Sequence, residues 1–361
     1  MTPRFLAFVL AVFLGTGLAT WGAVAQTPGT VRAQGQEVGT TPPLLPMPRA
    51  ARMDPREQMR QFVQGISSFA RRYRPNFIVI PQNGLALLAK TDDADQSLLL
   101  PARTYMRSID GVLQEAIFYG MPETDRPTPD DRRKTLMPLI DLARTNGLKV
   151  LALEHARTPA AIDDAYRLSR SLISFVHPRI GAAINALPPY PVRPPGENSD
   201  AVLSLSNVRN YAYLRDSASF GREDQFALAL HDKNFDMIVV DVFHGRRPLG
   251  KQAVETLKYK KLGTRRLVLA YMDIGRATTD RYYWKPEWRE GSPAWISAPF
   301  PNEPDKYFVE YWRPEWQKII SGDTQSYLYG IIDQGFDGVV LDGIDSYNYF
   351  EGGMELVEIY R

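Results

Sequence analysis

The sequence predicts an α/β chain folded as a (β/α)8 TIM barrel, and three observations carry that expectation. Eight short apolar runs recur along residues 53–361, separated by stretches with helical spacing, the pattern of a closed parallel sheet. Several of those runs stop abruptly at a carboxylate, as Val339-Val340-Leu341-Asp342 does. Acids at the carboxyl ends of parallel strands mark α/β active sites. The connection between the seventh and eighth runs, about residues 274–335, is long and holds five of the six tryptophans. Such an excursion lies on the face where barrel sites form. An open doubly wound sheet is the runner-up, but no Gly-x-Gly-x-x-Gly or Walker-type loop follows any strand, so its nucleotide chemistry has no support.

Taken in order, the chain opens with Arg4, an apolar run from Phe5 to Leu18, and Ala23-Val24-Ala25. These read as the n-region, h-region and cleavage site of a secretory signal peptide over residues 1–25, placing the protein outside the cell or in a periplasm. The bland alternative is an uncleaved anchor, because the apolar stretch just reaches spanning length. Residues 26–52 are rich in Pro, Gly, Thr and Gln and read as a linker without a core. Residues 53–361 then form one domain. Residues 53–73 place Met59, Phe62, Val63, Ile66 and Phe69 at helical spacing.

Strands are expected at 77–82, 109–115, 148–154, 172–177, 209–215, 235–241, 266–273 and 336–342. Continuous apolar runs suit strands covered on both faces. Between them, residues 132–146 read as a helix stopped by Asn146-Gly147, and residues 223–231 as a helix after a Ser-Phe-Gly turn. The proline-dense stretch 188–196 reads as a stiff surface crossing. Acids end the runs at Glu154, Asp241, Asp273 and Asp342, with Asp345 and Tyr347 close behind, which suggests a rim of carboxylates around a shared cleft. Asp337 reads instead as a structural strand start.

Composition excludes several chemistries. The absence of cysteine rules out disulfides, thiolate metal sites and a cysteine nucleophile. A net charge of +2 argues against nucleic acid as a partner. The four histidines lack a spacing such as His-Glu-x-x-His, so neither metal nor cofactor is expected. No Gly-x-Ser-x-Gly elbow serves acyl transfer. What remains is a monomeric, exported chain whose partner is a polysaccharide, with no membrane role once the signal is removed. Indoles suit this, since the apolar faces of sugar rings stack on them, and Trp284 and Trp312 are the candidates. The bland reading is a small hydrophobic core that holds the long loop together. Gln82 and Asn83, at another strand end, suit sugar hydroxyls. His155, directly after Glu154, either lines the cleft or makes a structural hydrogen bond.

The blocks Asn210-Tyr-Ala-Tyr-Leu214, Phe235-Asp-Met-Ile-Val-Val-Asp241, Leu269-Ala-Tyr-Met-Asp-Ile-Gly275, Tyr311-Trp-Arg-Pro-Glu-Trp-Gln317 and Gly335-Phe-Asp-Gly-Val-Val-Leu-Asp342 resemble glycoside hydrolase family 114. That is the endo-α-1,4-polygalactosaminidase family, with its cysteinyl-tRNA synthetase-related extracellular members. Further matching blocks, Pro81-Gln-Asn-Gly84 and Ile109-Asp-Gly-Val-Leu-Gln-Glu115 among them, extend the likeness over nearly all of residues 53–361. The order differs from the family's, where the Asn-Tyr-x-Tyr strand comes first and the Pro-Gln-Asn-Gly strand follows the Asp-Gly-Val-x-Leu-Asp strand. The resemblance therefore implies a circularly permuted barrel, with residues 188–208 as the seam that joins the old ends.

The resemblance also implies the catalytic pair. Glycosidases need one protonated and one ionised carboxyl group flanking the bond. The family's two map onto Glu115, the member that serves the leaving oxygen, and Asp342, the ionised member that attacks or activates water; the bland reading of each is a buried acid bonded to backbone. Apolar neighbours in sequence, Leu113, Ala116, Ile117 and Phe118, suggest a raised pKa for Glu115. Gly343, Asp345 and Tyr347 suggest a wetter setting for Asp342. Substrate contacts are expected from Asp241, Asp273, Gln82, Asn83, Tyr271, Arg276, Trp284, Trp312, Asp345, Tyr347 and Glu154. One departure stands out: where the family reads Ile-Gly-Glu-Ala-Glu, this chain has Ile274-Gly-Arg-Ala-Thr278. Losing two acids and gaining Arg276 weakens the case for a polymer rich in ammonium groups. It favours a neutral, acetylated or anionic glycan, or a barrel that binds sugar without cleaving it.

Overall fold

A computed structural model of the chain describes residues 53–91, 99–180, 184–301 and 303–352. The expected signal peptide and linker lie outside the described residues. Eight parallel strands carry the architecture: β1 (Ile78–Pro81), β2 (Gly111–Glu115), β3 (Lys149–His155), β4 (Ile173–His177), β5 (Tyr211–Leu214), β6 (Met237–Asp241), β7 (Leu267–Asp273) and β8 (Gly338–Asp342). Each falls within, or one residue beyond, an interval expected from the sequence. Five of them form one parallel sheet in the order β1-β8-β7-β6-β5. The other three form a second, β2-β3-β4, and a parallel bridge between Gln82 and Leu113 sets β1 beside β2. At the far edges, the Tyr211 hydroxyl of β5 donates to the Ala152 carbonyl of β3 at 2.9 Å, and its ring meets Phe175 of β4 at 5.8 Å.

Burial follows from composition. Every residue of β6, β7 and β8 is buried, as expected of β-branched and leucine-rich strands covered on both faces. Helix α1 (Pro55–Tyr73) turns Met59, Val63 and Ile66 onto this core, each burial contributing about 1.5–3 kcal/mol. Its start is fixed by Asp54, whose side chain accepts from the Arg56 and Glu57 amides, with Pro55 in the first turn. Acids also anchor strand starts. Asp110 accepts from the Val79 amide at 2.8 Å, Asp236 from Arg209 at 2.8 Å, and Asp337 from Val268 at 3.0 Å. Asp337 pairs in addition with Arg74 and Arg265, so its role is structural.

The β7–β8 connection contains an antiparallel three-stranded sheet, Arg276–Thr278, Glu303–Val309 and Ile296–Phe300 in spatial order, before two helices, Pro314–Ser321 and Tyr327–Gln334. Four of its tryptophans form a continuous aromatic chain, Trp284–Trp288–Trp295–Trp316, with ring centroids 5.0–5.6 Å apart. Trp295 and Trp316 are buried, so this part of the loop is a small core. After β8 the chain turns back towards α1: Arg56 pairs with Glu351 at 2.9 Å and lies over the Tyr347 ring. Among the described residues between β4 and β5, the proline-rich segment carries no helix or strand before a single turn at Leu205–Asn207. No described helix is long and apolar enough to cross a membrane.

Candidate active site

The carboxyl end of β8 presents Asp342, and the local sequence dictates how. Gly343 has φ 75°, a left-handed conformation that glycine adopts without penalty. A Cβ there would stand 2.2 Å from Asp273 Oδ1, and one on Gly275 would stand 1.9 Å from the Gly343 carbonyl oxygen. The two strand ends therefore touch, with Asp273 and Asp342 opposite each other in register. Arg276 sits over both: its Nε donates to Asp273 Oδ2 at 2.8 Å, and its Nη2 pairs with Asp342 Oδ1 at 2.9 Å. Asp342 Oδ2 accepts from the Tyr271 hydroxyl at 2.6 Å and faces Arg215 Nη1 at 3.5 Å. The Arg215 guanidinium lies over the Tyr271 ring, its central carbon 3.8 Å from the ring centroid.

Burial opposes ionisation of Asp342, but Arg276, Arg215, the Tyr271 hydroxyl and the Gly343 amide outweigh it and hold the carboxyl well below the usual range. Its setting is thus not the wetter one expected from sequence: it is only 3% exposed, and guanidinium groups rather than water keep it charged. Asp273 moves the other way, pushed up by burial and, against Arg276, by the charge of Asp342.

Across β1, the second carboxylate is held by amides. Asn83, two residues past β1, and Ala116, directly after β2, both have positive φ, 57° and 48°. Such backbone strain in non-glycine residues concentrates at functional sites. It accompanies a dense set of contacts around Glu115. Oε1 accepts from Gln82 Nε2 and from Asn83 Nδ2 at 3.3 Å, and Asn83 Oδ1 accepts from the Glu115 amide at 3.0 Å. Oε2 faces His155 Nε2 at 3.3 Å. The expectation of an apolar pocket is corrected here. The apolar neighbours in sequence do not set the environment, because residues 32 to 40 positions away surround the carboxylate with polar atoms.

Tyr213 connects the two halves. Its hydroxyl donates to Gln82 Oε1 at 2.8 Å, and its ring meets Tyr271 edge-on at 6.4 Å. Burial, countered by Arg215 and reinforced by Asp342 and then Glu115, holds this phenol well above its usual value. Both carboxylates are therefore within electrostatic reach of one tyrosine. Gln82, Asn83, Tyr271, Asp273 and Arg276 belong to the same cluster.

The other residues expected at the site divide. Asp241, opposite Tyr271 in register, is gripped by Arg281 through both guanidinium nitrogens at 3.0 and 2.6 Å. Glu154 does not contribute to a carboxylate rim. It is 0% exposed, and one oxygen accepts the Phe118 and Tyr119 amides at 3.0 and 2.8 Å, tying down the loop after β2. Asp345 and Tyr347 are buried in the turns after β8, Tyr347 beneath Arg56. Trp284 stacks on Tyr307 at 5.4 Å, and Trp312 meets Phe350 and Tyr311 edge-on. Sequence reasoning missed Arg215, Tyr213 and Lys306, the last a buried amine whose pKa is lowered by burial and by Arg276 and Arg215. For Arg215 a signal existed: it directly follows β5, the position where acids were sought on other strands.

The cluster thus offers one carboxylate held ionised, one carboxylate beside an imidazole, and tyrosine and amide groups between them. Among the described residues, no group of three or more His, Asp or Glu side chains is arranged to hold a metal ion.

Residues 215–358 match the model of the glycoside-hydrolase family GH114. The chain is 36% identical over 121 residues to an uncharacterised protein of Thermotoga maritima, covering 34% of this chain and 36% of that protein. It is 35% identical over 158 residues to an uncharacterised protein of Methanocaldococcus jannaschii, covering 41% and 44%. A Deinococcus radiodurans protein, also uncharacterised, is 33% identical over 119 residues, covering 33% and 36%. The chain spans less than half the length of each of these curated relatives.

Proposed function

The chain belongs to glycoside-hydrolase family GH114 through residues 215–358, and on that premise we propose that it is an exported, endo-acting glycoside hydrolase working through Asp342 and Glu115. The observation that carries this reading is Tyr213, hydrogen-bonded to the Gln82 amide that holds Glu115 and packed edge-on against Tyr271, whose hydroxyl donates to Asp342. Hydrolysis of a glycosidic bond needs such a pair, one member ionised and one able to deliver a proton. Asp342, held ionised by Arg276 and Arg215, serves as nucleophile or base. Glu115, beside the imidazole of His155, serves as the acid.

The proposed scaffold is a closed eight-stranded barrel in circularly permuted order. The Gln82–Leu113 bridge and the reach of Tyr211 from β5 to β3 support closure. The pairing of β1 with β8 and the contact of Arg56 with Glu351 support the altered order, since α1 then fills the place of a crossover from β8 to β1.

The proposed substrate is an α-linked galactosamine or N-acetylgalactosamine polymer. Its acetylated form is favoured because Asp241, Asp273 and Asp342 each already meet a guanidinium and so offer little to an ammonium group. The same clamp favours a second reading, a non-catalytic glycan-binding barrel, in which Arg276 has disarmed Asp342. The two separate in a screen of deacetylated, partly acetylated and fully acetylated galactosaminoglycans for new reducing ends and, in parallel, for binding. Cleavage supports the hydrolase; binding without cleavage supports the second reading.

A further inference from the structure

We infer that Glu115 and His155 hold a single shared proton, and that His155 is a positioning residue that keeps this proton available at the acid. His155 Nδ1 lies 3.0 Å from the carbonyl oxygen of Arg179. A carbonyl oxygen only accepts, so Nδ1 must carry hydrogen for this contact to be a bond. In a neutral imidazole Nε2 is then bare and can only accept. Yet Nε2 stands 3.3 Å from Glu115 Oε2, and a bare nitrogen facing a carboxylate oxygen would be a meeting of two acceptors. The contact is satisfied in two ways, both with one proton between the residues. Either Glu115 is a carboxylic acid donating to Nε2, or the imidazole is protonated and donates to the carboxylate.

The surroundings lock this geometry. Gly120 lies against the imidazole so closely that a Cβ there would stand 2.6 Å from the His155 Cβ and 3.1 Å from its ring. The ring is buried. Glu115 Oε1 is occupied by the Gln82 and Asn83 amides, which donate and cannot accept at those nitrogens, so the proton is directed to Oε2. Around the pair, Glu154 precedes His155 in β3, His177 stands opposite it in register, and the Tyr211 hydroxyl donates to the Ala152 carbonyl of the same strand.

The chemical consequence rests on the hydrolase reading given above. Protonating the leaving oxygen turns the pair into a carboxylate and a neutral imidazole. The water that completes hydrolysis returns its proton to the pair, so the cycle has no net proton change.

The test uses the full-length protein and long-range 15N–1H spectra of its four imidazoles, assigned by a His155→Gln variant. His155 is expected to keep hydrogen on Nδ1 throughout. Its Nε2 is expected to share one hydrogen with the Glu115 carboxyl, and Glu115→Gln is expected to leave Nε2 as a bare acceptor. A bare Nδ1 with hydrogen on Nε2 would overturn the inference, whatever the activity. On a cleaved glycan, His155→Gln is expected to lower kcat by about tenfold or more, while an activated aryl glycoside, which needs little protonation, loses less than about twofold. Equal losses on both would reduce His155 to a structural role. A protein that cleaves nothing but shows the shared hydrogen would retain this inference and lose the hydrolase reading, so the two fail separately.

Discussion

Asp273 and Asp342 stand opposite each other at the ends of adjacent strands, and the guanidinium of Arg276 spans both carboxylates at 2.8 and 2.9 Å. The pair is buried, so its charge depends on that one side chain more than on solvent. This arrangement gives Arg276 its place between two buried acids, and it sets up the first test.

Replacing Arg276 with Gln leaves two buried carboxylates facing each other with Arg215 as the nearest cation to Asp342. Breaking a buried ion pair from one side costs about 3–5 kcal/mol. The loss is expected to be larger at pH 8 than at pH 5, because without the guanidinium a carboxylate takes up a proton more readily and acid relieves the repulsion. Urea unfolding at both pH values checks this. A variant within about 1 kcal/mol of wild type at both would show that Arg276 is not what holds the pair.

Gly343 and Gly147 share a positive φ, 75° and 80°, but differ in what surrounds them. Nothing lies within 4 Å of a Cβ at Gly147, so Gly147→Ala is expected to cost only the left-handed backbone penalty, about 1–2 kcal/mol. At Gly343 the new carbon would collide with Asp273 and Gly275, and the loss should be at least twice as large. Equal melting temperatures for the two variants would contradict the close approach of the strand ends.

Glu154 gives a pH signature. Burial pushes its carboxyl from an ordinary 4.5 up to about 7, against the opposing Tyr119 and Phe118 amides. The folded state therefore binds this proton more tightly than the unfolded chain. The stability it contributes is full below about pH 4.5 and is lost as pH rises through about 7, a difference of about 3 kcal/mol. Glu154→Gln keeps the acceptor for both amides and removes the ionisation. Relative to wild type it should gain stability between pH 5 and pH 8. A parallel decline in the two proteins would refute the assignment.

Much of the scaffold was legible because it is written locally. The eight apolar runs announce the strands, and the helix at Glu223–His231 was bounded to the residue by its turn and periodicity. The site was legible only in part. Asp342 could be read from an abrupt strand end, but the partners that set its charge, Arg215 and Arg276, are brought in from two other connections. Glu115 was misjudged in its surroundings because sequence neighbours are not spatial neighbours at a strand end, where Gln82, Asn83 and His155 converge on it. Glu154 resembled a cleft acid because its run ends like the others. Only the fold of the following loop, whose amides reach back to it, shows where it is spent. The tryptophans carried the same ambiguity, and Trp295 and Trp316 went to the core because the long loop needs one.

The most direct measurement compares wild type, Asp342→Asn and Glu115→Gln on partly acetylated galactosaminoglycan, following new reducing ends and, separately, glycan binding. The account expects cleavage by the wild type and a loss of at least about a hundredfold in each variant, with binding retained, because each substitution removes one half of the acid–base and nucleophile pair while leaving the amide and tyrosine contacts in place. Wild-type turnover in Asp342→Asn would contradict the central claim.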